Sequence, residues 1–182
     1  MTSSIKARSS GFSLIELMIG IVILAIAMAV AMPSYSQWIQ NTNIRNAAES
    51  LQNGLQRARA EAVNRNTNVA FVIGEGAFWT VRQVNDATVI ESKASAEMPR
   101  NVKAVVWPVA IPPALAPTTI TFGSLGTVTP NADGSITINQ VDVDSTVLPE
   151  ADSRNLQIAI GAGGIVRMCD PNVVSTADPR HC

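Results

Sequence analysis

Residues 12–32 form one apolar run, FSLIELMIGIVILAIAMAVAM, in which the polar side chains are Ser13 and Glu16. At about 1.5 Å per residue this run spans roughly 31 Å as a helix, enough to cross the hydrocarbon core of a bilayer. No polar face recurs along it, so it predicts a bare apolar rod. After Pro33 the pattern changes. Ile44, Ala48, Leu51, Leu55, Ala58 and Ala62 recur at spacings of four and three, which places them on one helical face. Arg45, Glu49, Arg57, Arg59, Glu61 and Arg65 mostly fall on other faces and are expected to be solvated. The two patterns together predict one nearly continuous helix from about residue 12 to about residue 64, roughly 80 Å long. Its second half is amphipathic and needs a cover. Gly20 and Gly54 weaken it slightly and mark bends or close contacts.

From residue 68 the helical period disappears and short apolar or alternating runs take over. Residues 69–73, 77–84, 87–91, 102–107, 119–122, 135–138, 156–160 and 165–168 read as strands. Asn85-Asp86 suits a turn, and so do the glycines of Gly161-Ala162-Gly163-Gly164. Pro108, Pro112, Pro113 and Pro117 remove backbone donors at four places, so that passage reads as a loop or edge. An antiparallel sheet laid on the amphipathic half of the helix buries what the helix alone leaves bare. The fold class is therefore α+β, a long N-terminal helix packed against a small antiparallel β domain.

Composition sharpens this picture. The 182 residues carry 13 Lys and Arg against 14 Asp and Glu, a formal net charge of -1. A strongly basic nucleic-acid protein is excluded on bulk charge. One His and two Cys rule out zinc fingers, four-cysteine clusters and His-rich metal enzymes. Lys6 and Arg8 precede the apolar run without any acidic residue beside them, which holds that end in the cytoplasm and sends the rest of the chain across the membrane. A cleaved signal peptide ending near Ala27, Ala29 and Ala31, or a plain signal anchor, would also account for the run. Neither explains Glu16. A carboxylate inside a spanning segment is expensive, and it either snorkels to the interface or pairs with a cation from another chain.

The heptapeptide Gly11-Phe12-Ser13-Leu14-Ile15-Glu16-Leu17 resembles the processing site of type IV prepilins and type II secretion pseudopilins. The resemblance implies cleavage after Gly11 by a prepilin peptidase and methylation of the new amino terminus at Phe12. It also implies that Glu16 neutralises the terminal amine of a neighbouring subunit during assembly. Pro33, which ends the apolar run, matches the proline at which pilin-like helices often bend. Ile120-Thr121-Phe122, Gly126, Ser135-Ile136-Thr137-Ile138, the run from Gly164 to Cys169 and the ending Asp178-Pro179-Arg180-His181-Cys182 are similar to the FimT/GspH branch of these proteins, in its FimT- or FimU-like form. The division that follows is a leader at residues 1–11, a transmembrane or filament-core helix at 12–32, an amphipathic half at 33–66 and a β domain at 67–182.

Cys169 and Cys182 enclose a short polar loop in a domain expected outside the cytoplasm, where a disulfide between them persists; two free thiols are the other possibility. No motif for catalysis stands out, and no cofactor or metal is expected. Gly161–Gly164 lacks the Lys and Ser/Thr of a phosphate loop. His181 has no nucleophile beside it and reads as a solvated tail residue. Asp142 and Asp144, on one side of an expected strand, could bind calcium together with Asp133, but they read as a solvated edge. Some FimT-like minor pilins bind DNA during natural transformation through a Gly-Arg-x-Arg motif. Here Gly164-Ile165-Val166-Arg167 lacks the first arginine, leaving Arg167 and Arg180 as candidate contacts, opposed by Asp170 and Asp178. Loss of residues 1–11 removes Lys6 and Arg8 and leaves 11 basic against 14 acidic side chains, about -3. The expected function is a non-catalytic minor pilin or pseudopilin that helps initiate or cap filament assembly. DNA uptake is the alternative. The implied partners are other pilins, the prepilin peptidase, an inner-membrane assembly platform and, before assembly, the lipid bilayer. The expected location is the inner membrane, with the β domain periplasmic, and then the filament tip.

Overall fold

The computed structural model describes residues 12–107 and 118–182. The expected cut after Gly11 and the proline-rich passage lie outside the described residues. The chain divides into two compact units, Met1–Ser36 and Gln37–Cys182. One helix, α1 (Leu14–Arg65), runs through both and ends within a residue or two of the expected position. It begins where the Ser13 carbonyl accepts the amides of Glu16 and Leu17. It stops at Asn66, which adopts φ 48°, a left-handed conformation that asparagine tolerates and that commonly closes a helix.

In the first unit the described side chains are exposed on every side. Leu14, Ile15, Leu17, Ile19, Val22 and Leu24 all show more than half of their surface. This stretch is long and apolar enough to cross a membrane.

The second unit carries the core. Ile44, Ala47, Ala48, Leu51, Leu55, Ala58 and Ala62 are fully buried, which is the face read from the spacing with Ala47 added. Two sheets cover it where one was expected. The first, in the order β3-β2-β1-β5-β6, contains β1 (Val69–Ile73), β2 (Trp79–Gln83), β3 (Val89–Lys93), β5 (Thr119–Phe122) and β6 (Val128–Thr129). The second, in the order β4-β7-β8-β9, contains β4 (Val102–Trp107), β7 (Gln140–Ser145), β8 (Leu156–Ile160) and β9 (Val166–Cys169). All the pairings between these strands are antiparallel. Phe71, Val81, Ile120 and Phe122 of the first sheet join Val141, Val143 and Ile158 of the second and the helix face in one cluster. Each large side chain fully buried there contributes about 1.5–3 kcal/mol. Gly54 lets the helix approach closely: a Cβ at that position would lie 2.6 Å from Phe71.

Residues 135–138 are not a strand, contrary to the alternation of Ser-Ile-Thr-Ile. Side chains from the preceding turn take their backbone groups. The Asp133 carboxylate accepts the amide of Ser135 at 2.9 Å, and the buried Asn131 amide donates to the carbonyl oxygens of Ser135 and Ile136 at 3.3 and 3.5 Å. The partner of β5 is instead the two-residue β6. The strand that follows is β7, whose Val141, Val143 and Ser145 point inward. β3 starts later than expected because the Asp86 carboxylate accepts the Thr88 amide at 3.0 Å and Ala87, at φ 56°, is not extended.

Glu61 is a second correction. It is only 7% exposed, not solvated, and is held by Arg65 at 2.5 Å and Arg57 at 3.1 Å. The hydrogen bond from Arg65 is the main cause that holds its carboxyl below the usual range. A lowered folded-state pKa means that the stabilisation is complete above the unfolded value and is lost as pH falls through the folded one. Glu61→Gln is expected to destabilise the domain by about 1–2 kcal/mol at neutral pH, with the deficit shrinking in acid. Urea denaturation of both proteins across pH checks this.

Candidate assembly segment and C-terminal loop

Of the residues expected to serve processing and assembly, Gly11 lies outside the described residues, and Phe12, Glu16 and Pro33 lie before or within α1. Phe12 precedes the helix and is 84% exposed. Glu16 lies in the first turn, a position that a helix dipole favours for a carboxylate. It is exposed and has no ion-pair partner among the described residues. Its neighbours Ile15 and Leu17 are exposed apolar side chains, so the segment presents one charge on an otherwise greasy rod. α1 continues through Pro33.

The other candidate residues converge on the C-terminus, which the sheet organises. β8 and β9 form a hairpin through the glycine turn, with Gly161 donating to Ile165 O and Gly164 to Gly161 O. Cys169, at the end of β9, forms a disulfide with Cys182. Closing a loop with a sequence separation of 13 stabilises by about 3 kcal/mol in the chain-entropy account. Asp170 and His181 pair as a parallel bridge, and the Asp170 amide donates to Arg180 O at 2.7 Å. His181 is therefore not a solvated tail residue. It is half-buried, and its Nδ1 lies 2.6 Å from Val173 O, a contact in which the ring nitrogen must carry the proton.

Arg167 and Arg180 both reach this loop, and both are engaged within it. The Arg167 guanidinium donates to His181 O. Arg180 grips Asp178 with two hydrogen bonds, at 3.1 and 2.8 Å. That grip pulls the Asp178 carboxyl down to about 2. Asp142 and Asp144 lie on β7, an interior strand of its sheet, and not on an edge. Asp142 accepts the Trp107 indole N–H and the Gln140 amide, while Asp144 accepts the Ser145 amide and faces the Lys103 ammonium at 3.3 Å. No cluster of His, Cys, Asp or Glu suited to a metal occurs among the described residues.

Arg59 was missed as a structural residue. It is half-buried, and its Nε donates to Gly126 O at 3.0 Å, where the β5–β6 loop meets the β8–β9 turn. The reciprocal use of glycine at 126 and 164 was the available signal. Asn41 plays a similar part near the start of the second unit, donating to Asp152 O and accepting from the Arg154 amide.

A long N-terminal helix, apolar at its start and packed against antiparallel sheets beyond, defines a pilin-like fold. The type IV minor pilin FimU of Pseudomonas aeruginosa matches in two crystal forms. In one the TM-score is 0.51 at 15% identity, over 76% of this chain and 99% of that one; in the other it is 0.50 at 17% identity, over 72% and 99%. The minor pseudopilin EpsH from the type 2 secretion system of Vibrio cholerae matches at a TM-score of 0.49 and 14% identity, over 72% of this chain and 99% of that one. No curated protein sequence matches. A family model described as Type II transport protein GspH matches residues 47–164, and one described as Prokaryotic N-terminal methylation motif matches residues 6–32. The chain belongs to the GspH family of minor pilins and pseudopilins.

Proposed function

We propose that this minor pilin helps initiate or cap assembly of a type IV pilus or a type II secretion pseudopilus. The observation that carries the proposal is Glu16, the one ionisable side chain in an apolar helical segment exposed on every described side. Such a rod is soluble only in lipid or against other rods. In this reading a prepilin peptidase cuts after Gly11, residues 12–32 first sit in the inner membrane, and the β domain lies in the periplasm because Lys6 and Arg8 stay in the cytoplasm. Extraction by the assembly platform then exchanges lipid for the helices of neighbouring pilins. Glu16 pairs with the terminal amine of a neighbour, and the bend ascribed to Pro33 adjusts the rod to its packing. In low dielectric each charge alone is costly and the pair is much less so, which sets the axial register.

The reading involves no catalytic step. DNA uptake would rest on Arg167 and Arg180. The Asp178 carboxylate already occupies the Arg180 guanidinium, which weighs against that alternative.

Deleting the gene and restoring it tests the assembly role. Filament number is expected to fall at least tenfold on deletion and to recover with the wild-type chain, and immunogold labelling is expected at one filament end. Unchanged filament numbers, or label spread along the shaft, would contradict the proposal.

A further inference from the structure

We propose that two copies of this chain dock head to tail through their second units: the apolar loop at residues 147–151 of one copy sits on the patch that Val63, Leu125 and Ile165 form around Arg59 of the other. The inference does not depend on the proposed assembly role, and a short stack at one filament end satisfies both.

The patch forms where two turns meet the end of α1. Leu125, in the β5–β6 loop, is 84% exposed, and Ile165, in the β8–β9 turn, is 67% exposed. Val63 of the helix is exposed beside them. The three elements touch: a Cβ at Gly126 would lie 3.2 Å from Val63, and one at Gly164 would lie 1.9 Å from Gly126 O. Arg59 holds them together through its Nε, which donates to Gly126 O. The guanidinium meets no carboxylate among the described residues, and Glu61, the carboxylate nearest in sequence, is held by Arg57 and Arg65. Residues 123–127 and 161–165 carry no charged side chain. The patch is therefore a cation framed by exposed aliphatic side chains.

Its complement lies at the other end of the second unit. Asn41 pins the loop after β7 by bonding Asp152 O and the Arg154 amide. From Asn41 to Arg59 the helix advances about 27 Å. The loop reads Val147-Leu148-Pro149-Glu150-Ala151, a carboxylate framed by apolar residues. Val147 and Glu150 are exposed, and Glu150 has no ion-pair partner among the described residues. Beyond it, Asp152 offsets Arg154 in charge. The loop is preformed. The Val147 and Leu148 amides donate to Ser145 Oγ, and the Asp152 and Ser153 amides donate to Pro149 O, so docking orders little new chain. Charge selects the arrangement. Patch on patch sets Arg59 against Arg59, loop on loop sets Glu150 against Glu150, and like charges brought together cost several kcal/mol in general. Loop on patch pairs opposite charges and apolar surfaces. Because the two surfaces differ, the contact does not close on itself and can repeat.

The test is sedimentation equilibrium of the full chain in detergent micelles. The wild type is expected to grow past dimers as its concentration rises, and added salt is expected to weaken the growth. Leu125→Ser with Ile165→Ser spoils the patch and spares the loop, while Glu150→Arg spoils the loop and spares the patch. Each variant is expected to lose self-association by about tenfold or more. Mixing the two variants is expected to restore dimers and nothing larger, because one sound patch and one sound loop remain. The three substituted residues are exposed, and unchanged urea midpoints confirm folding. A wild type that stays monomeric up to about 1 mM, or that stops at dimers, would overturn the inference. So would variants that associate like the wild type, or a mixture that yields no dimers.

Discussion

Glu16→Ala is expected to reduce incorporation of this pilin into filaments by two orders of magnitude or more, while leaving its membrane level and the cut after Gly11 unchanged. The size follows from the asymmetry of buried charge. A neighbour's terminal ammonium brought into the apolar packing of helices loses its counter-charge, and an uncompensated buried ion costs about 3–5 kcal/mol. Glu16→Asp keeps the charge but shortens its reach, so it is expected to fall between the two. Glu16→Gln tests the same point: if pairing is the role, the neutral isostere fails nearly as badly as alanine. Quantitative immunoblotting of sheared filaments against the membrane fraction measures this. Normal incorporation of the alanine variant would remove the assigned role of Glu16.

The second large effect concerns the β domain. Gly164 adopts φ 76°, and a Cβ there would lie 1.9 Å from Gly126 O. That oxygen is backbone and is held by Arg59, so it has little room to retreat. Gly164→Ala therefore combines a left-handed conformation costing about 1–2 kcal/mol with overpacking costing about 1–3 kcal/mol. The expected loss is about 3 kcal/mol or more, a fall in the urea midpoint of about 1–3 M. Gly163, one residue earlier, has nothing within 4 Å of its would-be Cβ and serves as the control. Gly163→Ala is expected to be near neutral. Equal midpoints for the two variants would show that the contact between the β5–β6 loop and the β8–β9 turn is not tight.

Much of this architecture is written locally. The apolar rod needs only a count of residues, and the buried helix face follows from spacings of four and three. Val69–Ile73, Val102–Trp107, Thr119–Phe122 and Leu156–Ile160 are rich in β-branched or aromatic residues and occur as strands within the same bounds. The misreadings come from interactions that the hydrophobic pattern does not register. Residues 135–138 alternate like a strand, yet Asn131 and Asp133 claim their backbone groups. Glu61 stands among arginines like a solvated residue, and only the sheet's position shows that its side of the helix is covered. His181 reads as a tail until the disulfide brings it beside Asp170 and Val173. β6 is two residues long, too short for any alternation to register.

The assembly segment differs from the rest of the candidate site in this respect. In the proposed function its chemistry depends on a peptidase reading a short stretch of chain, so Gly11, Phe12 and Glu16 stand out in the linear sequence. Arg167 and Arg180 were equally visible as cations, and so was Asp178 two residues from Arg180, but His181 O engages Arg167 only once the C-terminal loop has closed.

Intact-mass spectrometry of the chain extracted from membranes of cells with an active prepilin peptidase is the most direct measurement. The account predicts the mass of residues 12–182 with one added methyl group on the Phe12 amine and one disulfide. A chain that keeps its first eleven residues, or one cut beside Ala31, would contradict it.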